Sequence, residues 1–363
     1  MPTLRLAGAR LVAAMLGGLL LAGCGLSPAS QQDQGGQAAG LGAGFGAAET
    51  VASNLEAPWG LAFLPGGDAL VSERDSGRIL RLRPGAAPQE VATVPGVAPR
   101  GEGGLLGVAV SPDYRRDRLI YAYFSAAGDN RIIRFRPGEA PQVLLAGIPS
   151  AAIHNGGRIA FGPDGMLYAG TGDAADGANA QDLASLGGKI LRLRPDGGVP
   201  DDNPFPGSPV WSLGHRNVQG LAWDAEGRLF ATEFGQNRVD EVNLIERGGN
   251  YGWPEVEGTG GGDRFRDPLV TWPVSEASPS GAAIAGGTLY AAALRGERLW
   301  SVPLDGRGGV GEPRALLVGV YGRLRHAAVA PDGSLWVLTS NRDGRGEPAA
   351  SDDRVLRFPR AAG

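Results

Sequence analysis

Residues Gly220 to Gly235 read GLAWDAEGRLFATEFG. Apolar runs at 221–223 and 229–231 flank Asp224-Ala-Glu-Gly227, where Asp and Gly suit a chain reversal, so the stretch predicts two antiparallel strands and a tight turn. The unit recurs as GLAFLPGGDALVSE from Gly60, GVAVSPDYRRDRLIYAYFS from Gly107 and RIAFGPDGMLYAGTGD from Arg158. It returns as GAAIAGGTLYAAALRG from Gly281 and HAAVAPDGSLWVLTSN from His326. Third strands such as Arg78-Ile-Leu-Arg-Leu, Lys189-Ile-Leu-Arg-Leu and Arg354-Val-Leu-Arg-Phe alternate apolar with basic, as half-exposed strands do. The starts 60, 107, 158, 220, 281 and 326 differ by 47, 51, 62, 61 and 45 residues. Four-stranded repeats of about 40–50 residues are what propeller blades require. A blade buries its faces only against neighbouring blades, so six copies predict an all-β, six-bladed β-propeller. A β-sandwich would show fewer units, and a solenoid would need end caps. The longer units carry insertions at 174–186 and 258–267, expected as loops at one face; no amphipathic helix is evident.

The 61 Gly and 27 Pro of the 363 residues would suggest disorder, but 42% of the chain is hydrophobic, enough for a large core. Net charge is −4, which leaves no basic footprint for nucleic acid. Arg5 and Arg10 precede an apolar run at 11–22 that is short for a bilayer span and ends in Leu21-Ala-Gly-Cys24. This resembles a bacterial lipoprotein cleavage box; an ordinary secretory signal that contains a cysteine is the alternative. Cys24 is the single cysteine, so no intramolecular disulfide can form. The expected organisation is a signal peptide at 1–23, a flexible tether at 24–48 and the propeller at 49–363. The protein is then exported, periplasmic or cell-surface, and held to a membrane through lipidated Cys24 alone. The GLGAGFG run from Gly40 follows no strand and opens no helix, so it is not read as a nucleotide loop.

In propellers the loops at one end of the ring surround the central channel. Residues just before a first strand or just after a second strand should meet there. His154, Arg216 with Asn217, and Arg323 with Arg325 precede first strands; Asp173, Gly235 with Gln236, and Arg295 follow second strands. All three histidines, His154, His215 and His326, fall in these stretches. No His-Glu-x-x-His, paired-Cys or Gly-x-Ser-x-Gly pattern supports a zincin, zinc ribbon or α/β-hydrolase. Asp176, Asn179 and Asp182 recur at threes, not at the alternate positions of an EF-hand, and read as turn residues. Taken singly, His154 is as readily a structural histidine, and Arg323-Leu-Arg325 a solvated strand end. Together the guanidiniums suit a polyanion, because each can pair bidentately with a carboxylate.

HNGGRIAFGPDG from His154, GHRNVQGL from Gly214, DEVN from Asp240, NYGWP from Asn250 and GRLR from Gly322 resemble the soluble pyrroloquinoline quinone (PQQ)-dependent aldose sugar dehydrogenases. That group is similar to soluble quinoprotein glucose dehydrogenase and to sorbosone dehydrogenases, and the likeness spans about residues 51–358. It implies a six-bladed propeller, PQQ and calcium as cofactors, and oxidation of aldoses to lactones, with electrons passing to a quinone or cytochrome. It makes His154 the general base, Asp173 the group that orients it, and Arg216 and Asn217 contacts of the quinone. Arg323 and Arg325 match the pair that binds the cofactor's carboxylates, and Arg295 stands where glucose dehydrogenase has lysine. Gly235 and Gln236 match a loop whose carbonyls hold a catalytic calcium; Asp240, Glu241 and the Tyr251 carbonyl match a structural calcium site. Glu102 stands where glucose dehydrogenase has a substrate-contacting glutamine, and Ile153 replaces an aspartate, so sugar preference does not transfer. Trp272 is the nearest residue to the aromatic lid, and His326 has no counterpart role. A non-catalytic sugar- or protein-binding propeller and a metal-dependent lactonase stand as alternatives; the latter needs carboxylate and Asn ligands in the channel.

Overall fold

The computed structural model describes residue 41 and residues 44–361. The leader and Cys24 lie outside them. The described chain forms six four-stranded antiparallel sheets set as blades in a closed ring. Their innermost strands are Pro58–Phe63, Leu105–Val110, Ile159–Phe161, Val218–Trp223, Pro279–Ala285 and Leu324–Val329. Each coincides with, or begins within a few residues of, a repeat start read from the sequence. Six separate apolar clusters fill the six interfaces between blades. Second strands such as Ala69–Glu73, Leu229–Glu233 and Leu335–Thr339 are buried throughout, because both of their faces meet a neighbouring blade. That is why their sequences lack strict alternation.

The ring closes by joining the two ends of the chain. Strand Glu49–Ala52 pairs antiparallel with Val355–Phe358 and becomes the outermost strand of the sixth blade. The order extends upstream of it. Phe45 bridges to Arg360, the Gly46 N–H donates to the Pro359 carbonyl, and Leu41 and Phe45 are buried against the fifth and sixth blades. The C-terminal end of the segment expected as a tether is therefore docked, because Leu41 and Phe45 are large apolar residues in an otherwise small and polar stretch.

The insertion at 174–186 is a loop with one helical turn, Ala178–Gln181, and the insertion at 258–267 holds a single 3-10 turn, Gly262–Arg264. Asp176 and Asp182 accept from the backbone two residues on, as turn residues do. Strand Lys189–Leu193 departs from the half-exposed expectation, being buried at every position. Lys189 donates through Nζ to the carbonyls of Asn179 (2.5 Å), Gly187 (2.8 Å) and Ala180 (3.1 Å), and burial pushes its ammonium down to about 8. It fastens the insertion to the blade beneath the site described next.

Candidate active site

His154 sits on a backbone that glycine makes possible. Its own φ is +59°, and Gly156 and Gly157 follow with φ of +61° and +106°. A Cβ on Gly172 would overlap the His154 carbonyl oxygen, so the Gly172-Asp173 step can lie directly against the histidine loop. There His154 Nδ1 and Asp173 Oδ1 are 2.8 Å apart. Asp173 Oδ1 also accepts from the Ala175 N–H (2.8 Å), and Oδ2 accepts from Trp253 Nε1–H (2.8 Å). An ionised carboxylate only accepts, so Nδ1 carries a hydrogen, and in the neutral ring Nε2 then keeps its lone pair. The His154 N–H donates to Glu102 Oε2 (2.9 Å), and Glu102 Oε1 accepts from Arg345 (3.0 Å) across the mouth.

The fourth blade delivers the next groups. The Asp173 N–H donates to the Arg216 carbonyl (2.8 Å), which locks the two loops together. The Arg216 guanidinium lies over the Trp253 ring at 5.4 Å and donates from Nη1 to Gly235 O (2.5 Å) and Phe234 O (3.2 Å). Burial lowers its pKa, and its Nε has no partner among the described residues. Asn217 accepts from the Gly156 N–H (2.9 Å) and leaves its buried Nδ2 without a partner among the described residues. From the sixth blade, Arg323 and Arg325 both reach Asp343, at 2.9 and 3.4 Å. Burial pushes Arg325 down to about 10, and its Nε is likewise unpartnered. Trp59, Arg74, Glu102, Gln219, Arg325 and Asp343 line the hollow at this mouth.

His154, Asp173, Arg216, Asn217, Glu102, Arg323 and Arg325 thus gather at one end of the axis, as their positions beside first and second strands imply. Others do not join them. Arg295 follows Leu294, which lines the mouth, but its own side chain is exposed and makes no ion pair among the described residues. The carbonyls converging beneath Arg216 belong to Phe234 and Gly235; Gln236 instead gives its N–H to Glu257 Oε1. Asp240 and Glu241 are consecutive in strand Val239–Ile245 and so point to opposite faces. Asp240 accepts from the Gly235 and Ser278 N–H groups, Glu241 from Gly258 N–H and Asn243, so the pair is not one ligand set. Burial and then the charge of Glu233 raise the Glu241 pKa to about 8. Tyr251 uses its hydroxyl to donate to the Leu244 carbonyl, and its ring stacks on His215. His215 is fully buried between Ser212 and Glu233 and is structural. Trp272 is stacked on Trp300 in the interface between the fourth and fifth blades, so it is no lid; Trp253 is the aromatic at the site.

Asp343 and Glu257 were missed in the sequence, although Asp343 occupies the slot after a second strand that also yields Asp173. The mouth carboxylates are all engaged: Glu102 by His154 and Arg345, Asp173 by His154 and Trp253, Asp343 by the Arg pair. Among the described residues no three His, Cys, Asp or Glu side chains converge as metal ligands.

The arrangement suits an anionic, carbonyl-rich group. Three buried donors there (Arg216 Nε, Asn217 Nδ2 and Arg325 Nε) lack acceptors among the described residues. The oxygens of Phe234 and Gly235 already receive a cation, the Arg216 guanidinium, as they would a hard metal ion.

Residues 55–349 match the family model for glucose/sorbosone dehydrogenase. A solved structure of the PQQ-bound aldose sugar dehydrogenase from Streptomyces coelicolor is 56% identical, with a TM-score of 0.84 over 86% of this chain and 97% of that one. Aldose sugar dehydrogenase YliI of Escherichia coli is 30% identical over 82% of this chain and 90% of its own length. Quinoprotein glucose dehydrogenase B of Acinetobacter calcoaceticus is 35% identical over 58% of this chain and 52% of its own.

Proposed function

The chain belongs to the glucose/sorbosone dehydrogenase family and is a PQQ-dependent aldose sugar dehydrogenase; from that premise we propose that it oxidises aldoses at the anomeric carbon to lactones, with His154 as general base and calcium as a second requirement. The observation that carries this reading is the Asp173 carboxylate, which holds His154 by Nδ1 while its own N–H is fixed to the Arg216 loop.

His154 Nε2 is free to take the proton from the anomeric hydroxyl as hydride leaves the same carbon. Asp173 holds the ring in the needed tautomer and stabilises the imidazolium that forms. When bound, PQQ supplies the electrophilic carbonyl that accepts the hydride. Arg323 and Arg325 would hold its carboxylates, while Arg216 and Asn217 would donate to the oxygen on which charge develops. Calcium would be held by the Phe234 and Gly235 carbonyls and would polarise the quinone as a Lewis acid. Glu102, anchored by Arg345, would face the sugar beside His154. Electrons would leave to a quinone or cytochrome, and the enzyme would work outside the cytoplasm, tethered through Cys24.

The test adds PQQ and calcium, singly and together, to apo-protein and follows dye reduction with a panel of aldoses. Turnover is expected only with both additions. His154→Ala should still take up PQQ but lose on the order of 10²–10⁴-fold in kcat. A variant that turns over like wild type would sink the general-base assignment.

A further inference from the structure

Two consecutive peptide groups, Phe234–Gly235 and Gly235–Gln236, supply the carbonyls that Arg216 Nη1 reaches. Both are trans, so in each the C=O and the N–H point in opposite directions. Whatever holds the N–H therefore aims the oxygen. The Gly235 N–H donates to Asp240 Oδ1 (2.9 Å) and the Gln236 N–H to Glu257 Oε1 (2.7 Å). Each peptide group is held between a carboxylate at its hydrogen and a guanidinium at its oxygen.

Glu257 holds more than one such group. Its Oε1 also accepts from the N–H groups of Asn237 (3.1 Å), Arg238 (3.0 Å) and Val239 (3.3 Å). Four successive N–H groups converging on one oxygen make an anion-binding nest, and here the anion is a side chain from the loop after the Tyr251-Gly-Trp-Pro254 corner. Glycine at 235 permits the approach: a Cβ there would overlap the Val239 carbonyl and press on Glu257 Oε1.

Burial raises the Glu257 pKa, but the four N–H groups outweigh it and hold the carboxyl below the usual range, so it is ionised at neutral pH. That charge reaches the far side of the turn. Burial lowers the Arg216 pKa, and the charges of Asp173 and Glu257 oppose the fall. The turn therefore presents two aimed oxygens backed by negative charge, an arrangement suited to a hard cation.

We propose that Glu257 is a positioning residue for calcium: through the Gln236 peptide group it aims the Gly235 oxygen, and through the nest it sets the rest of the turn. This rests on the assignment of calcium to the Phe234 and Gly235 carbonyls under the proposed function. Glu257 Oε1 is filled by four donors, so it serves the cation through the backbone and not as a ligand.

Calorimetric titration of calcium into apo-protein saturated with PQQ tests it, alongside hydrogen exchange of the backbone amides at 236–239. Glu257→Ala is expected to weaken calcium about 10–100-fold and to speed exchange at those amides. Glu257→Gln keeps an acceptor but not the charge; it should lose less, and it serves alone if the alanine variant does not fold. Excess calcium should restore kcat in both, which a merely structural role would not allow. Glu255→Gln removes a carboxylate two residues away that pairs only with exposed Arg264 among the described residues, and should leave calcium affinity unchanged. The proposal is overturned, with the calcium assignment intact, if the Glu257 variants that fold bind calcium as tightly as wild type or show unchanged exchange. An equal loss in Glu255→Gln, or activity that excess calcium does not restore, overturns it as well. Wild type that binds no calcium removes the calcium assignment, and this proposal with it.

Discussion

His154 owes its chemistry to groups far from it in the chain. Asp173 fixes its tautomer, Trp253 and the Ala175 N–H hold Asp173 in turn, and Glu102 anchors the histidine backbone. Asp173→Asn keeps the shape of that side chain but no longer specifies Nδ1–H. The loaded variant should lose on the order of 10²–10⁴-fold in kcat with little change in Tm. Wild-type kcat, measured by dye reduction, would deny Asp173 a positioning role. Asp343 is the second revealing residue, because it occupies the guanidiniums that the proposed function gives to PQQ. Asp343→Asn should destabilise the apo-protein by about 3 kcal/mol, since two buried cations lose their carboxylate. Denaturant melts should show that loss, and the Tm gain on adding PQQ should exceed that of wild type. An unchanged gain would mean that Asp343 does not compete for the pair.

At the scale of elements, inner and second strands were legible because burial on both faces leaves continuous apolar runs between Gly, Asp and Pro turns. Outer strands were not. Gln89–Thr93 and Arg314–Leu316 are largely exposed, so nothing constrains their pattern. Nor did local pattern reveal that the sixth blade borrows Glu49–Ala52 from the other end of the chain, with Phe45 packed just before it. Phe45→Ala removes a buried ring that also meets Tyr290 edge-on at 5.8 Å. Its expected cost is about 3 kcal/mol in an equilibrium melt, with loss of the whole ring in one transition. A negligible cost would show that the segment before residue 49 is not part of the closure.

For the whole molecule, the ring brings loops of separate blades to one mouth, and any group bridging them should stabilise all of it. With PQQ and calcium each at about 100 times its Kd, linkage adds about 2.7 kcal/mol per ligand, readable as a rise in Tm that a chelator reverses. PQQ alone or calcium alone should give a smaller rise. Equal Tm with and without both ligands would separate the mouth from the stability of the ring.

Composition, repeat spacing and turn residues, all local properties of the chain, were enough to set the blade number and the end at which polar loops gather; the redox chemistry came from the resemblance of five motifs to a known family. Pairings were beyond them. That Asp343 neutralises Arg323 and Arg325 and that Asp240 and Glu241 face apart both depend on strand parity and on distances between residues remote in sequence. Those are set when six interfaces pack at once, and no single segment carries that information.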